Sequence, residues 1–265
     1  MKPMGKVMQS ATTDVLWAGK EAAVPRKTHI FLTAEWRYLA MLNFEVDPGV
    51  LAPHVPAGTE LDTFEGRTMV SVVGFRFEDT RVRGVAVPFH RDFDEINLRF
   101  YVRRDVSGEA RRGVVFIKEI VPRVAIAWTA RLVYAENYVA LPTRHSIGVR
   151  NGGCPGQVSY EWKWAGRWNS VSVRSLGEAR PLVAGSEEQF IAEHYWGYSS
   201  RRDGRTVEYR VEHPSWRAWP VDEARLDCDV SRLYGAEFAD FLGNAPCSAL
   251  LADGSAVSVR RGELL

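Results

Sequence analysis

Short runs of β-branched and aromatic residues, each closed by a turn signal, recur along almost the whole chain and leave room for little besides sheet. Residues 39–46 (LAMLNFEV), 68–77 (TMVSVVGFRF), 95–103 (EINLRFYVR), 113–121 (GVVFIKEIV) and 125–134 (AIAWTARLVY) form a first series. Residues 157–164, 167–176, 196–200, 206–213 and 224–230 form a second. Such side chains fit a pleated surface, and the polar and glycine residues between them fit turns. Asp105-Val106-Ser107-Gly108, Trp164-Ala165-Gly166-Arg167 and Arg201-Arg202-Asp203-Gly204 predict hairpin tips, with glycine where positive φ is tolerated.

Helical signals are few. Asp47-Pro48-Gly49-Val50-Leu51 opens with an N-cap and a first-turn proline, but Pro53 and Pro56 hold it to a turn or two. Ser186-Glu187-Glu188-Gln189 is a capping box that predicts a helix reaching about Tyr195, with Phe190 and His194 on one face. Residues 231–241 place Leu233, Tyr234, Phe238 and Phe241 at helical spacing. A strand at 245–251, a turn at Ala252-Asp253-Gly254 and a strand at 256–260 close the chain. No Gly, Ser or Pro-rich linker divides it. One domain is therefore expected over 29–265, behind a loosely held arm at 1–28, although the two strand series also admit a pseudo-repeat. Many strands with few helices predict a mainly β protein, closed as a large antiparallel β-barrel or cone, because closure removes exposed edges.

Composition narrows the partners. With 265 residues, 46% hydrophobic and 25% charged, and a formal net charge of +1, the chain lacks the basic surplus that nucleic acid or an anionic membrane surface selects. Arg103-Arg104, Arg111-Arg112 and Arg201-Arg202 read as solvated charges at hairpin tips. No run approaches the roughly 18–20 apolar residues of a membrane helix, and the mixed N-terminal segment has no apolar core of a secretory signal. Cys154, Cys228 and Cys247 are odd in number and widely spaced, which suits a reducing cytoplasm better than a disulfide framework or a zinc site. No metal and no other cofactor is expected. A homo-oligomer is left open.

The charged residues inside the apolar runs are the candidates for chemistry. GVVFIKEIVPR, 113–123, sets Lys118 and Glu119 among Val114, Val115, Phe116, Ile117, Ile120 and Val121. A lysine there is either a paired structural ion or an amine tuned by desolvation, since burial lowers a lysine pKa by up to roughly 3–5 units. Strict alternation puts Val114, Phe116, Lys118 and Ile120 on one face and Val115, Ile117, Glu119 and Val121 on the other, so only one of Lys118 and Glu119 enters the interior. Glu95, Asn97, Arg99 and Tyr101 share a polar face. In an ordinary half-solvated sheet that face is outside; in a cavity barrel it lines the ligand site, and Glu95, Arg99 and Arg123 become candidates. His90 lies in a loop suited to covering a barrel mouth. His145, His194 and His213 are scattered, show no metal-ligand spacing and read as packing residues. No GxSxG elbow is present. Trp162, Trp164, Trp168, Trp216 and Trp219 read as core or barrel cap rather than a base-stacking platform.

The segment WRYLAMLNFEVDPGVLAPHVPAGTELDTFEGRTMVSVVGFRF, followed by EINLRFYV, GVVFIKEIVPR and EEQFIAEHYWGYSSRRDGRTVEYRVEHPSWRAWPVDEA, resembles the YqjF-like family of unknown function (domain of unknown function 2071). The likeness runs from about residue 34 to residue 230. That family looks like a branch of the acetoacetate-decarboxylase-like superfamily, which implies a twisted β-barrel with a central apolar cavity. The decarboxylases use a barrel lysine as Schiff-base nucleophile. The resemblance sets Arg37 on an active-site arginine of those enzymes, Lys118-Glu119 on an Arg-Glu pair, and Arg123-Val124-Ala125 where their lysine pair stands. Their active-site glutamate falls in the loop 79–89, which has no glutamate; the next is Glu95. Arginine stays protonated and forms no useful imine, so decarboxylase chemistry survives only if Lys118 has taken over the role.

The expected function is accordingly the binding of a small organic acid or carbonyl compound in a barrel cavity. Arg37, Arg99, Arg123 and His90 are the ligand-binding candidates, and Lys118, Glu119 and Glu95 the candidates for metal-free lyase-like proton transfer. The alternatives are a non-catalytic binding or sensory barrel, and a structural protein whose polar residues are satisfied in the core.

Overall fold

The computed structural model describes residues 29–86, 90–123, 137–150 and 154–265; the arm at 1–28 and the predicted strand at 125–134 lie outside them. Nearly every strand signal within the described residues is a strand, and the early ones extend beyond their apolar runs. In chain order they are β1 (Ile30–Glu45), β2 (Glu60–Leu61), β3 (Met69–Val82), β4 (Val85–Ala86), β5 (Phe93–Val106), β6 (Glu109–Val121), β7 (Tyr138–Ala140) and β8 (Thr143–Val149). There follow β9 (Pro155–Trp164), β10 (Arg167–Ser175), β11 (Arg180–Pro181), β12 (Trp196–Ser200), β13 (Thr206–Glu212), β14 (Arg217–Asp227), β15 (Ser248–Arg260) and β16 (Glu263–Leu264).

Hydrogen-bonded neighbours run β13-β12-β6-β5-β3-β1-β15, and β13 pairs β15 again, so this set of strands closes into a ring. Its pairings are antiparallel except β12 with β6. From β15 the order continues outward through β14, β10 and β9 to β8, a second layer against the ring. Two apolar clusters result. Ala40, Leu42 and Phe44 of β1 pack with Val158, Tyr160 and Trp162 of β9 and Val171 of β10, between ring and outer layer. Leu39 and Met41 of the same strand pack with Phe75, Phe77, Phe93 and Tyr101 and with Phe190 and Ile191, inside the ring. Strands buried on both faces need apolar residues at consecutive positions, which is why the runs read as continuous rather than alternating.

Several boundaries differ from expectation, each for a local reason. The predicted turn Ala252-Asp253-Gly254 is interior to β15: Gly254 pairs with Arg37 at φ +81°, and a Cβ there would lie 1.9 Å from the Trp36 carbonyl oxygen. Only glycine permits that close approach. The strand expected at 224–230 is β14, which begins at Arg217 and ends at Asp227. Pro220 stands where β14 changes partner from β15 to β10, with its carbonyl accepting from Leu176 N. The helix expected over 231–241 is divided into Val230–Leu233, a 3-10 turn Ala236–Phe238 and Ala239–Leu242, because Gly235 sits at φ +124°. The capping box does open a helix, Glu187–Ala192: Ser186 Oγ accepts from Gln189 N at 3.2 Å, and Gln189 Oε1 accepts from Gly185 N at 2.7 Å. It stops before Tyr195, since the chain must enter β12 at Trp196.

Candidate functional site

The ring encloses a cavity of about 180 Å3. Every strand of the ring contributes to its wall, and most of the wall is aromatic or aliphatic. Trp36 packs edge-on against Phe75 and Phe77, with centroids 5.3 and 5.8 Å away, and Phe77 stacks on Phe93 at 4.6 Å. Trp216 stacks on His213 at 4.2 Å. An apolar lining of this kind with a few convergent polar groups is the ordinary character of a small-molecule site.

The polar groups come from two strands. On β5, alternation aims Glu95, Asn97 and Arg99 into the cavity, 3%, 2% and 9% exposed. The predicted polar face is therefore the inner one, not the solvent one. Asn97 Nδ2 donates to Glu95 Oε1 at 3.1 Å, and Tyr138 OH donates to Glu95 Oε2 at 3.4 Å. Arg99 Nη2 donates to Ile191 O at 3.0 Å, at the end of the helix Glu187–Ala192. Among the described residues no carboxylate lies within ion-pair distance of Arg99, and its Nε has no hydrogen-bond partner.

On β6 the expected alternation fails. Leu98 pairs with Lys118 and Arg99 with Phe116, so Ile117 is an extra residue, a β-bulge. The bulge shifts the phase: Val114, Phe116 and Glu119 line the cavity, whereas Val115, Ile117 and Ile120 join the outer core. Lys118 points to that outer side as well. Its ammonium donates to the carbonyl of Leu233, and burial lowers its pKa, partly offset by Cys228. Glu119, opposite Asn97 and 1% exposed, is the member of the pair that faces inward.

The other candidates divide in the same way. His90 lies on the cavity wall. Arg37 does not; it is bound to Glu35 at 2.6 Å, with 39% of its side chain exposed. Arg123 follows β6, is exposed and does not line the cavity. Of the lysines in the described residues, Lys163 is exposed and neither it nor Lys118 reaches the cavity.

Two residues, one on the cavity wall and one behind it, carry no site signal in the sequence. The sequence presents His194 as a packing residue, yet it lines the cavity while Nε2 meets Asp62 Oδ2 at 3.3 Å. Asp62 in turn accepts from Arg112 Nε at 2.6 Å. Burial favours the neutral form of Asp62, but the hydrogen bonds from His194 and Arg112 outweigh it and hold the carboxyl below its usual range. Burial pushes His194 down to about 4, against the opposing pull of Asp62. The imidazole is then neutral near pH 7, with Nε2–H directed at the carboxylate and Nδ1 left as acceptor. Nδ1 has no hydrogen-bond partner among the described residues, and the same holds for Trp36 Nε1 and Asn97 Oδ1. Buried polar atoms that the protein leaves unpaired are normally met by water or a ligand.

The fold is that of the acetoacetate-decarboxylase-like proteins. The acetoacetate decarboxylase of Legionella pneumophila superposes with a TM-score of 0.61 over 98% of each chain at 14% identity. The enduracididine biosynthesis enzyme MppR, in a structure described as complexed with pyruvate, matches with a TM-score of 0.60 over 93% of each chain at 12% identity. Within that class, residues 33–256 match the family model of an uncharacterized conserved protein, domain of unknown function 2071, and the chain belongs to that family. An uncharacterized relative, YqjF of Bacillus subtilis (strain 168), is 37% identical over 208 residues, 76% of this chain and 79% of its own. Among the described residues no helix is long and apolar enough to cross a membrane.

Proposed function

We propose that the ring interior binds a small organic acid, with its carboxylate on Arg99 and its body against Trp36, Phe75 and Phe77. One observation carries this reading: a guanidinium nine-tenths buried on the wall of an aromatic cavity, without a carboxylate partner among the described residues. A buried charge is costly unless paired, and a bound carboxylate would supply both charge and hydrogen bonds. The fold neighbour described with pyruvate, itself a small oxo acid, supports the ligand class. The test is a calorimetric comparison of carboxylates with the matching primary amides. The acid should bind at least about ten-fold more tightly than its isosteric amide, on the strength of a charge-assisted hydrogen bond. Equal affinities would remove Arg99 as the anchor.

Proton transfer by Glu95 and Glu119 is the second reading, favoured by the burial of both carboxyl groups on the same wall, with Asn97 between them. It gives the cavity lyase-like chemistry without an imine. Schiff-base decarboxylation has no support here, since Lys118 faces the outer core and Arg123 is exposed.

A further inference from the structure

We propose that His194 Nδ1 is the hydrogen-bond acceptor for a hydroxyl group on the bound acid, which makes 2- or 3-hydroxy acids the ligand class of the cavity. The inference rests on the anchoring of a carboxylate at Arg99. Its own basis is the Asp62–His194 pair. Asp62 does not line the cavity, and it engages Nε2, so the edge of the ring that bonds the protein is turned away from the ligand space. What remains is one acceptor atom, in a side chain 1% exposed, with no partner among the described residues.

The two groups stand near enough to share one small molecule. The Tyr101 ring touches both: its centroid is 4.7 Å from the His194 ring and 5.7 Å from Arg99 Cζ, so the two groups are at most about 10 Å apart. Arg99 also bonds Ile191 O, three residues before His194, which ties both to the end of one helix. A 2-hydroxy acid that accepts from a guanidinium and donates to an imidazole reaches up to roughly 9 Å between the two nitrogens, with ordinary hydrogen-bond lengths at each end.

Two alternatives for His194 are weaker. A general base works best with a pKa near the operating pH, and burial beside Arg112 and Arg99 holds this imidazole near 4. A purely structural histidine would have both ring nitrogens satisfied, whereas among the described residues this one has a partner at Nε2 and none at Nδ1. An uncharged acceptor fits both facts.

The experiment compares matched pairs by calorimetry: lactate with propionate, and racemic mandelate with phenylacetate. In the unaltered protein the hydroxy member should bind roughly ten-fold more tightly, as expected for one hydrogen bond to an otherwise unsatisfied buried group. His194→Phe keeps a flat ring beside Tyr101 and leaves the Asp62–Arg112 pair in place; it should bind both members of a pair equally. His194→Asn, whose amide oxygen can stand near the Nδ1 position, should keep part of the preference, which a loss of packing alone would not restore. Equal binding of both members by the unaltered protein overturns the hydroxyl role and leaves the carboxylate anchor standing, as does a preference that survives in His194→Phe. If no acid of either pair binds, the anchor itself fails and the inference fails with it.

Discussion

Lys118, on the outer face of β6, and Arg99, on the inner face of β5, are both cations set into apolar strands, and the molecule treats them differently. Lys118 ends against the carbonyl of Leu233 among the side chains between ring and outer layer. Arg99 spends one nitrogen on Ile191 O, and its Nε finds no acceptor among the described residues. The first is a charge with a local structural destination; the second faces open volume. Desolvation alone therefore does not mark a site. What marks it is unspent hydrogen-bonding capacity aimed at a cavity.

The sharpest way to strain this contrast is through acid, on the inner side. His194 is pushed from the ordinary 6.5 to about 4. Between those values the unfolded chain binds the proton and the folded one does not. Stability is then complete above pH 6.5 and lost as pH falls toward 4, by about 3 kcal/mol if one group carries the shift. Asp62, held below the ordinary 3.8 of an aspartate, adds loss only at lower pH. Denaturant titrations at pH 7 and pH 4.5 should show most of that loss, and His194→Gln should remove most of it. An identical acid profile in the variant would mean that the imidazole is not neutral in the fold.

A smaller effect separates the two cations in the free protein. Arg99→Met exchanges a buried ion without a carboxylate partner among the described residues for an apolar side chain, and should raise stability by about 1–2 kcal/mol, measured by chemical denaturation. A loss of comparable size would make Arg99 a structural ion. Smallest of all is Lys118→Met, which should change stability at neutral pH by less than about 1 kcal/mol, one ordinary hydrogen bond set against relief of desolvation. Its signature is in the alkaline limb. Because the folded pKa of Lys118 is lowered from 10.5, its unfavourable contribution fades as pH rises toward 10.5. The variant should lose that upward trend relative to the unaltered protein, and parallel curves from pH 8 to 10 would contradict it.

Much of the fold was legible because strand runs and turn residues are local. The hairpin tips take positive φ at Gly108 and Gly166, as the sequence suggests, and also at Ser107 and Ala165 before them. Gly254 misled because glycine serves a close strand approach as readily as a turn. The site was half legible. Period-two alternation grouped Glu95, Asn97 and Arg99 correctly but could not tell inside from outside, which depends on ring closure between β13 and β15. Alternation also failed across the bulge at Ile117, a tertiary adjustment without a sequence mark. Asp62 and His194 meet across 132 residues, and no spacing rule reaches that far.

The central claim is that the inner face of the ring, and not the lysine of GVVFIKEIVPR, is where this protein meets its ligand. Parallel calorimetric titration of phenylacetate and mandelate into the unaltered protein, Lys118→Met and Arg99→Met tests it directly. The account predicts that Lys118→Met binds like the unaltered protein and that Arg99→Met loses at least about 30-fold, the low end of removing one partner from a buried charge pair. Binding that survives in Arg99→Met and disappears in Lys118→Met would contradict it.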